Sequence, residues 1–151
     1  TSFLEADSTL FEFANDVSGK EALFYGTFQN SGIKTIPSGL FSSVISNPSS
    51  SMFYNTFYNC TALEAIPSGL FDFGGHDVSG AASTFYATFY NCTTLKSIPE
   101  NLFARVTSPA QNLFRSTFNL CSGLIKLPEN LFPNITSGAT NIFYYTFYKC
   151  S

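Results

Sequence analysis

The chain has 151 residues, with 18 Phe and 8 Tyr but no Trp, and only 11% of its residues are charged. This length suits a single domain with its own core, and we expect that core to be aromatic. With 7 Lys plus Arg and a formal net charge of −3, the sequence offers no basic patch for nucleic acid or an anionic membrane. No apolar run reaches the roughly 18 residues of a membrane span.

One aromatic unit of about 30 residues recurs along the sequence. It opens with Phe-Tyr-x-Thr-Phe or a close variant, followed by a Leu-x-x-Ile/Leu-Pro segment and a Leu-Phe pair. The openings start at Phe24, Phe53, Phe85, Phe114 and Phe143. The repetition predicts a single repeat domain over residues 1–151, with about five repeats and an incomplete repeat at each end.

Within one unit, the spacing of apolar residues predicts the secondary structure. Phe53, Phe57 and Cys60 lie at i, i+4 and i+7, which is the spacing of one buried face of a helix. The segment 63–67 predicts a strand of three or four residues, because its final Pro cannot donate to a sheet. We therefore expect an α/β repeat solenoid, with short Phe-rich helices on one side and short parallel strands stacked on the other.

The unit Phe-Tyr-Asn-Cys-Thr-x-Leu-x-x-Ile-Pro-x-x-Leu-Phe occurs in full at 57–71 and at 89–103. It resembles the BspA-like leucine-rich repeats of bacterial and protist surface proteins, and the resemblance covers nearly the whole chain. It implies a right-handed leucine-rich-repeat coil on a secreted or surface-anchored protein. It also implies a role in adhesion or partner contact, without catalytic residues.

A cysteine follows each of the last four openings by seven residues. These cysteines are Cys60, Cys92, Cys121 and Cys150. Because their positions are equivalent, we expect a structural ladder of reduced thiols packed among Phe rings. Disulfides between coils would need Cα atoms within about 7 Å, and zinc would need a recurring His, whereas His76 is the only one. We predict no catalytic residue, no metal and no cofactor, so the protein is interpreted as non-enzymatic.

Tyrosines flank the predicted buried face in pairs four residues apart. These candidate partner-binding residues are Tyr54, Tyr58, Tyr86, Tyr90, Tyr144 and Tyr148. We expect them to form an exposed strip along the helical side, since contiguous exposed aromatic residues mark protein or glycan partners. The alternative is that the tyrosines only shield the core.

Three Asn-x-Thr patterns, at Asn59, Asn91 and Asn134, are candidate N-glycosylation acceptors. For Asn59 and Asn91 the competing interpretation is a structural Asn that closes the helix before the strand. Attachment of sugars would require a secreted eukaryotic protein, or an organism with its own glycosylation system.

Neither end of the sequence shows the polar capping repeat that a soluble repeat array needs. The sequence ends within a unit at 149–151, and 1–6 has the character of the strand that would follow. Either this is a window from a longer array, or subunits add head to tail. The leading prediction is an extracellular or cell-surface protein that mediates adhesion or protein/glycan interaction. The alternative is a structural subunit that assembles into an extracellular filament.

Overall fold

The computed structural model describes residues 6–12 and 19–150, where regular secondary structure is sparse. There is one 3₁₀ turn at Phe73–Gly75 and two short parallel strands, β1 (Val78–Ser79) and β2 (Val106–Ser108). No α-helix occurs in these ranges. The predicted fold, a right-handed leucine-rich-repeat coil with short helices and stacked strands, is therefore wrong. The strand expected at 1–6 lies, except for Ala6, outside the described residues.

The aromatic segments form runs of turns in place of the predicted helices. In the second unit, every second N–H group donates to the carbonyl three residues earlier, as from Tyr54 to Ser51 (3.1 Å). The N–H groups between them donate to the next unit, as from Phe53 to Thr84 (2.9 Å). An α-helix would keep all of these bonds within the segment. We call each unit a coil and number the coils 1 to 5 by their turn runs, at 22–31, 51–60, 83–92, 112–121 and 141–150.

A positive φ at every fourth residue produces this run of turns. In coil 2 these residues are Ser51, Asn55 and Asn59, with φ of 58°, 55° and 57°. Gly26 holds the same place in coil 1, at 60°. Asn and Gly adopt positive φ more readily than other residues. These residue types therefore suit a backbone that has a positive φ at every fourth residue. A right-handed α-helix excludes such a backbone, because all of its residues have negative φ.

The four-residue period also determines which side chains are buried. In coil 2, Phe53, Thr56, Phe57 and Cys60 are fully buried, and the residues between them are partly exposed. Phe rings of successive coils stack into three columns, with centroids 5.2 to 5.9 Å apart and ring planes within 13°. The columns are Phe24, Phe53, Phe85, Phe114 and Phe143; Phe28, Phe57, Phe89, Phe118 and Phe147; and Phe11, Phe41, Phe71, Phe103 and Phe132.

The segments after Cys60 and Cys92 bury their Leu and Ile side chains without forming the predicted sheet. Leu63 and Ile66 are buried, but the contact to coil 1 is a single parallel bridge between Thr35 and Ala65. One N–H···O bond per coil continues this row, as from Glu64 to Lys34 (3.0 Å). The hydrogen bonds that join the coils are thus concentrated in the turn runs.

Candidate interaction surfaces

Two columns of hydroxyl and thiol groups join each coil to the coil before it. Thr88 Oγ1 donates to the carbonyl of Phe53 (2.9 Å), and Cys92 Sγ donates to the carbonyl of Phe57 (3.3 Å). Equivalent bonds recur at every joint between turn runs. The interior carbonyl groups are buried, so each hydrogen bond that a side chain of the next coil donates to them stabilises the fold by about 1 kcal/mol.

The structure places the four predicted ladder cysteines in one of these columns. Cys60, Cys92 and Cys121 are fully buried and Cys150 is partly buried, and all four are free thiols. Burial raises the pKa of Cys60 and Cys92, and it raises the pKa of Cys150 to about 11. A neutral thiol is a poor nucleophile and a poor metal ligand. Within 6–12 and 19–150, no three His, Cys, Asp or Glu side chains cluster closely enough to hold a metal ion.

Alkaline pH is expected to destabilise the fold through the thiols of Cys60, Cys92 and Cys150. Their folded-state pKa lies above the unfolded value of about 9, so the native state keeps protons that the unfolded state loses. The contribution of the neutral thiols to stability is complete below about pH 9 and is lost as the pH rises through the folded pKa, about 11 for Cys150. The urea midpoint should therefore fall between about pH 8 and about pH 10.5.

Cys92→Ser is the matched control for this pH dependence. A serine keeps a donor in the column, as Ser31 does at the same position of coil 1, but it does not titrate in this range. The variant should lose less stability than the wild type over the same pH interval. An equal loss in both proteins would show that the Cys92 thiol is not responsible.

The six predicted tyrosines lie on the outer side of the turn runs, and four of them stack in two columns. Tyr54 stacks on Tyr86 with centroids 4.4 Å apart and planes at 2°, and Tyr58 stacks on Tyr90 at 4.6 Å and 4°. Burial between its neighbours raises the pKa of Tyr54 to about 12. The four rings are partly exposed. In coil 5, the two remaining tyrosines are exposed and pack on Tyr145 instead.

Two residues of the first column were missed by the sequence reasoning. Tyr25 stacks on Tyr54 at 4.9 Å, and the Arg115 guanidinium lies 5.5 Å from the ring centroid of Tyr86 and 4.8 Å from that of Tyr144. A planar guanidinium between two rings continues the stack through cation–π contacts. Both residues directly follow the first Phe of their units, and this shared position was the available signal.

The columns present ring edges and hydroxyl groups to the outside. In the first column, the rings of Tyr54 and Tyr86 each have a neighbour on both faces, so their flat faces are not available to a ligand. Tyr25, at 52% exposure, and Tyr144, at 43%, end this first column, and the second column is the single stacked pair Tyr58 and Tyr90. The outer surface is therefore an ordered row of polar groups on a rigid aromatic support.

All three glycosylation candidates use their side-chain amide nitrogens in bonds to another coil. Asn59 Nδ2 donates to Asn30 Oδ1 (2.8 Å), and Asn91 Nδ2 donates to Asn59 Oδ1 (2.6 Å). Asn134 Nδ2 donates to the carbonyl of Ala104 (2.6 Å). A sugar attached at that nitrogen would have to displace the bond. Glycosylation stays a prediction, and each Asn has a structural role in this fold.

Searches of protein-family models, curated proteins and solved structures returned no match to this chain. The resemblance to BspA-like repeats therefore stays a prediction made from the repeated residues. Over the part of the chain that the structure describes, no helix is long and apolar enough to cross a membrane.

Proposed function

We propose that this chain is a non-enzymatic repeat protein of the cell surface or the extracellular space, and that it mediates adhesion by binding a partner along its tyrosine columns. The observation that carries the proposal is the ordered outer row in which Tyr25, Tyr54 and Tyr86 stack at 4.4 to 4.9 Å. Tyrosine combines a large apolar ring with a hydroxyl and is enriched at protein interfaces. The resemblance to surface repeats supports the location.

The chemistry of the columns favours a protein over a glycan as the partner. A sugar packs flat on an exposed aromatic face, whereas the faces of Tyr54 and Tyr86 are already covered by neighbouring side chains. The outward hydroxyl groups and ring edges suit the polar and aliphatic groups of a protein surface. Because stacking already holds the rings in place, little side-chain entropy is lost on binding.

The ionisable groups outside the columns support the non-enzymatic part of the proposal. His76 is exposed, in the segment between the 3₁₀ turn and β1. Asp72 and Asp77 pair with Arg105, at 3.1 and 3.4 Å, in exposed ion pairs. Acid–base or nucleophilic catalysis needs groups of matched pKa within hydrogen-bond reach of one another. Exposed ion pairs of this kind instead tie neighbouring surface segments together weakly.

Binding of the purified chain to a panel of extracellular-matrix proteins and to an array of defined glycans tests the proposal. The double variant Tyr58→Ser and Tyr90→Ser removes both stacked rings of the second column and their phenol hydroxyls. We expect at least about tenfold weaker binding to the matrix protein that the wild type recognises.

The control is the double variant Glu64→Ser and Lys96→Ser, which changes two exposed residues of the bridge segments, outside the tyrosine columns. It should bind like the wild type. Equal losses in both double variants would place the binding surface elsewhere. Binding to glycans alone would exclude the protein partner.

A further inference from the structure

Coil 5 leaves a row of backbone donors without partners. In each of coils 1 to 4, N–H groups of five alternate residues donate to carbonyl groups of the following coil, at 2.7 to 3.1 Å. Phe143 is 42% exposed, although its equivalent one coil earlier, Phe114, is fully buried. The N–H groups of coil 5 that have no acceptor among residues 6–12 and 19–150 are those of Asn141, Phe143, Tyr145, Phe147 and Lys149.

Coil 1 leaves the complementary row of acceptors. In coils 2 to 5, the carbonyl groups of five alternate residues receive the bonds from the coil before. Thr27 is exposed in coil 1, whereas the equivalent Thr56 is fully buried and donates to Phe24 (2.8 Å). The five equivalent residues of coil 1 are all exposed, and their carbonyl groups accept no bond from the described part of the chain: Glu21, Leu23, Tyr25, Thr27 and Gln29.

The donor row of coil 5 and the acceptor row of coil 1 match each other as the facing rows of two successive coils do within the molecule. Each has five groups on alternate residues of a turn run of the same length. Following the pattern of the joints between coils 1 to 5, the N–H of Phe143 would pair with the carbonyl of Leu23 in a second molecule, and that of Phe147 with the carbonyl of Thr27. The Thr27 hydroxyl would then donate to the carbonyl of Phe143, as Thr56 donates to Phe24 within the molecule.

We infer that, in the 151-residue chain, coil 5 of one copy binds coil 1 of a second copy, so that copies of this chain add head to tail. Such a contact joins two different surfaces and does not close on itself, so it extends into a chain of subunits. Phe24 and Phe28 are already buried in coil 1. The contact therefore rests on the backbone rows and on Thr27, and it leaves the tyrosine columns free.

Apolar surface beside the last turn run adds to this contact. A groove of about 240 Å³ lies there, lined by 124–127, Phe147 and Cys150. Ile125 is 81% exposed and Leu127 is 49% exposed. Their equivalents in coil 3 are Lys96, which is exposed, and Ile98, which is buried. Because it is favourable to remove this apolar surface from water, its burial against an added coil stabilises the contact.

Sedimentation equilibrium of the 151-residue chain over about three decades of concentration, up to about 1 mM, tests the inference. The weight-average mass should rise above 16.5 kDa with concentration and should not level off at a dimer. A mass that stays at 16.5 kDa at every concentration would overturn the inference.

Thr27→Glu distinguishes head-to-tail addition from other association. Thr27 is exposed in the single molecule, so the variant should fold normally, but in the contact it would bury a carboxylate against the carbonyl of Phe143. Thr61→Glu makes the same change at an exposed position outside the coil ends. We expect Thr27→Glu to remain monomeric and Thr61→Glu to assemble like the wild type.

The Thr27→Glu variant keeps an intact coil 1 neighbourhood except for one side chain, and its coil 5 is unchanged. It should therefore still bind the coil 1 end of a wild-type molecule and stop growth there. Added in excess, it should lower the mean mass of wild-type assemblies, as measured in the same experiment. Assembly of Thr27→Glu to the wild-type extent would place the contact elsewhere and overturn the inference.

Discussion

Replacing Phe89 with alanine is expected to lower the free energy of unfolding by about 3 to 5 kcal/mol. The ring is fully buried and stacks on Phe57 at 5.3 Å and on Phe118 at 5.4 Å. Its coil is hydrogen-bonded to both neighbouring coils, so the backbone cannot collapse into the cavity. Urea unfolding followed by far-UV circular dichroism measures the loss.

Phe147→Ala is the matched control, because Phe147 ends the same column. Its ring has one stacked neighbour, Phe118 at 5.6 Å, and is partly exposed. We expect less than half of the loss seen at Phe89. Equal losses at the two positions would contradict the view that continuous ring columns stabilise this fold.

Replacing Ala87 with valine is expected to cost about 3 kcal/mol, because two unfavourable effects combine. Ala87 is 2% exposed and has a φ of 50°. A β-branched residue is strained at positive φ, and two added methyl groups overfill a buried site. The same urea measurement reports the change in the free energy of unfolding.

Ala87→Gly should act in the opposite direction and stabilise the fold by up to about 1 kcal/mol. Glycine adopts positive φ without the steric penalty of a Cβ atom. In the middle of an α-helix the same substitution would cost about 1 kcal/mol. Whether Ala87→Gly raises or lowers the free energy of unfolding therefore distinguishes the observed turn run from the helix that the apolar spacing predicts.

The wrong prediction of helices has a specific cause. The buried residues Phe53, Thr56, Phe57 and Cys60 lie at i, i+3, i+4 and i+7, and over eight residues a helix and a four-residue turn period bury the same positions. Residue types distinguish them, because this segment contains only modest helix formers. The spacing of Asn55 and Asn59, four residues apart and both suited to positive φ, was the stronger signal.

The predicted strands failed for a related reason. The segment 63–67 holds three residues between its Leu and its Pro, which is at the lower limit of strand length. Its apolar residues are buried, but each coil makes only one backbone bond there. Burial was thus predictable from the repeated Leu and Ile, whereas the backbone conformation depended on bonds formed elsewhere in the coil.

The repeat predicts where the candidate surface residues lie, but it does not predict how their side chains pack. Equivalent places in successive units predict that Tyr54, Tyr58, Tyr86 and Tyr90 share one side. The stacking of their faces depends on the spacing of neighbouring coils and on side-chain rotamers, and neither is evident from residue order. Predicting that Arg115 lies between Tyr86 and Tyr144 would have required the same information about coil spacing and rotamers.

The hydrogen bonds between turn runs point from one coil to the next, which gives the molecule a distinctive response to mechanical force. If coil 1 and coil 5 are pulled apart, the load falls on the hydrogen bonds that join one of these coils to its neighbour, and those bonds can open in succession. Each coil released in this way frees about 29 to 32 residues and lengthens the chain by about 100 Å. The molecule should therefore yield in steps under tension, as an extensible tether does, while the coils that remain keep their packing.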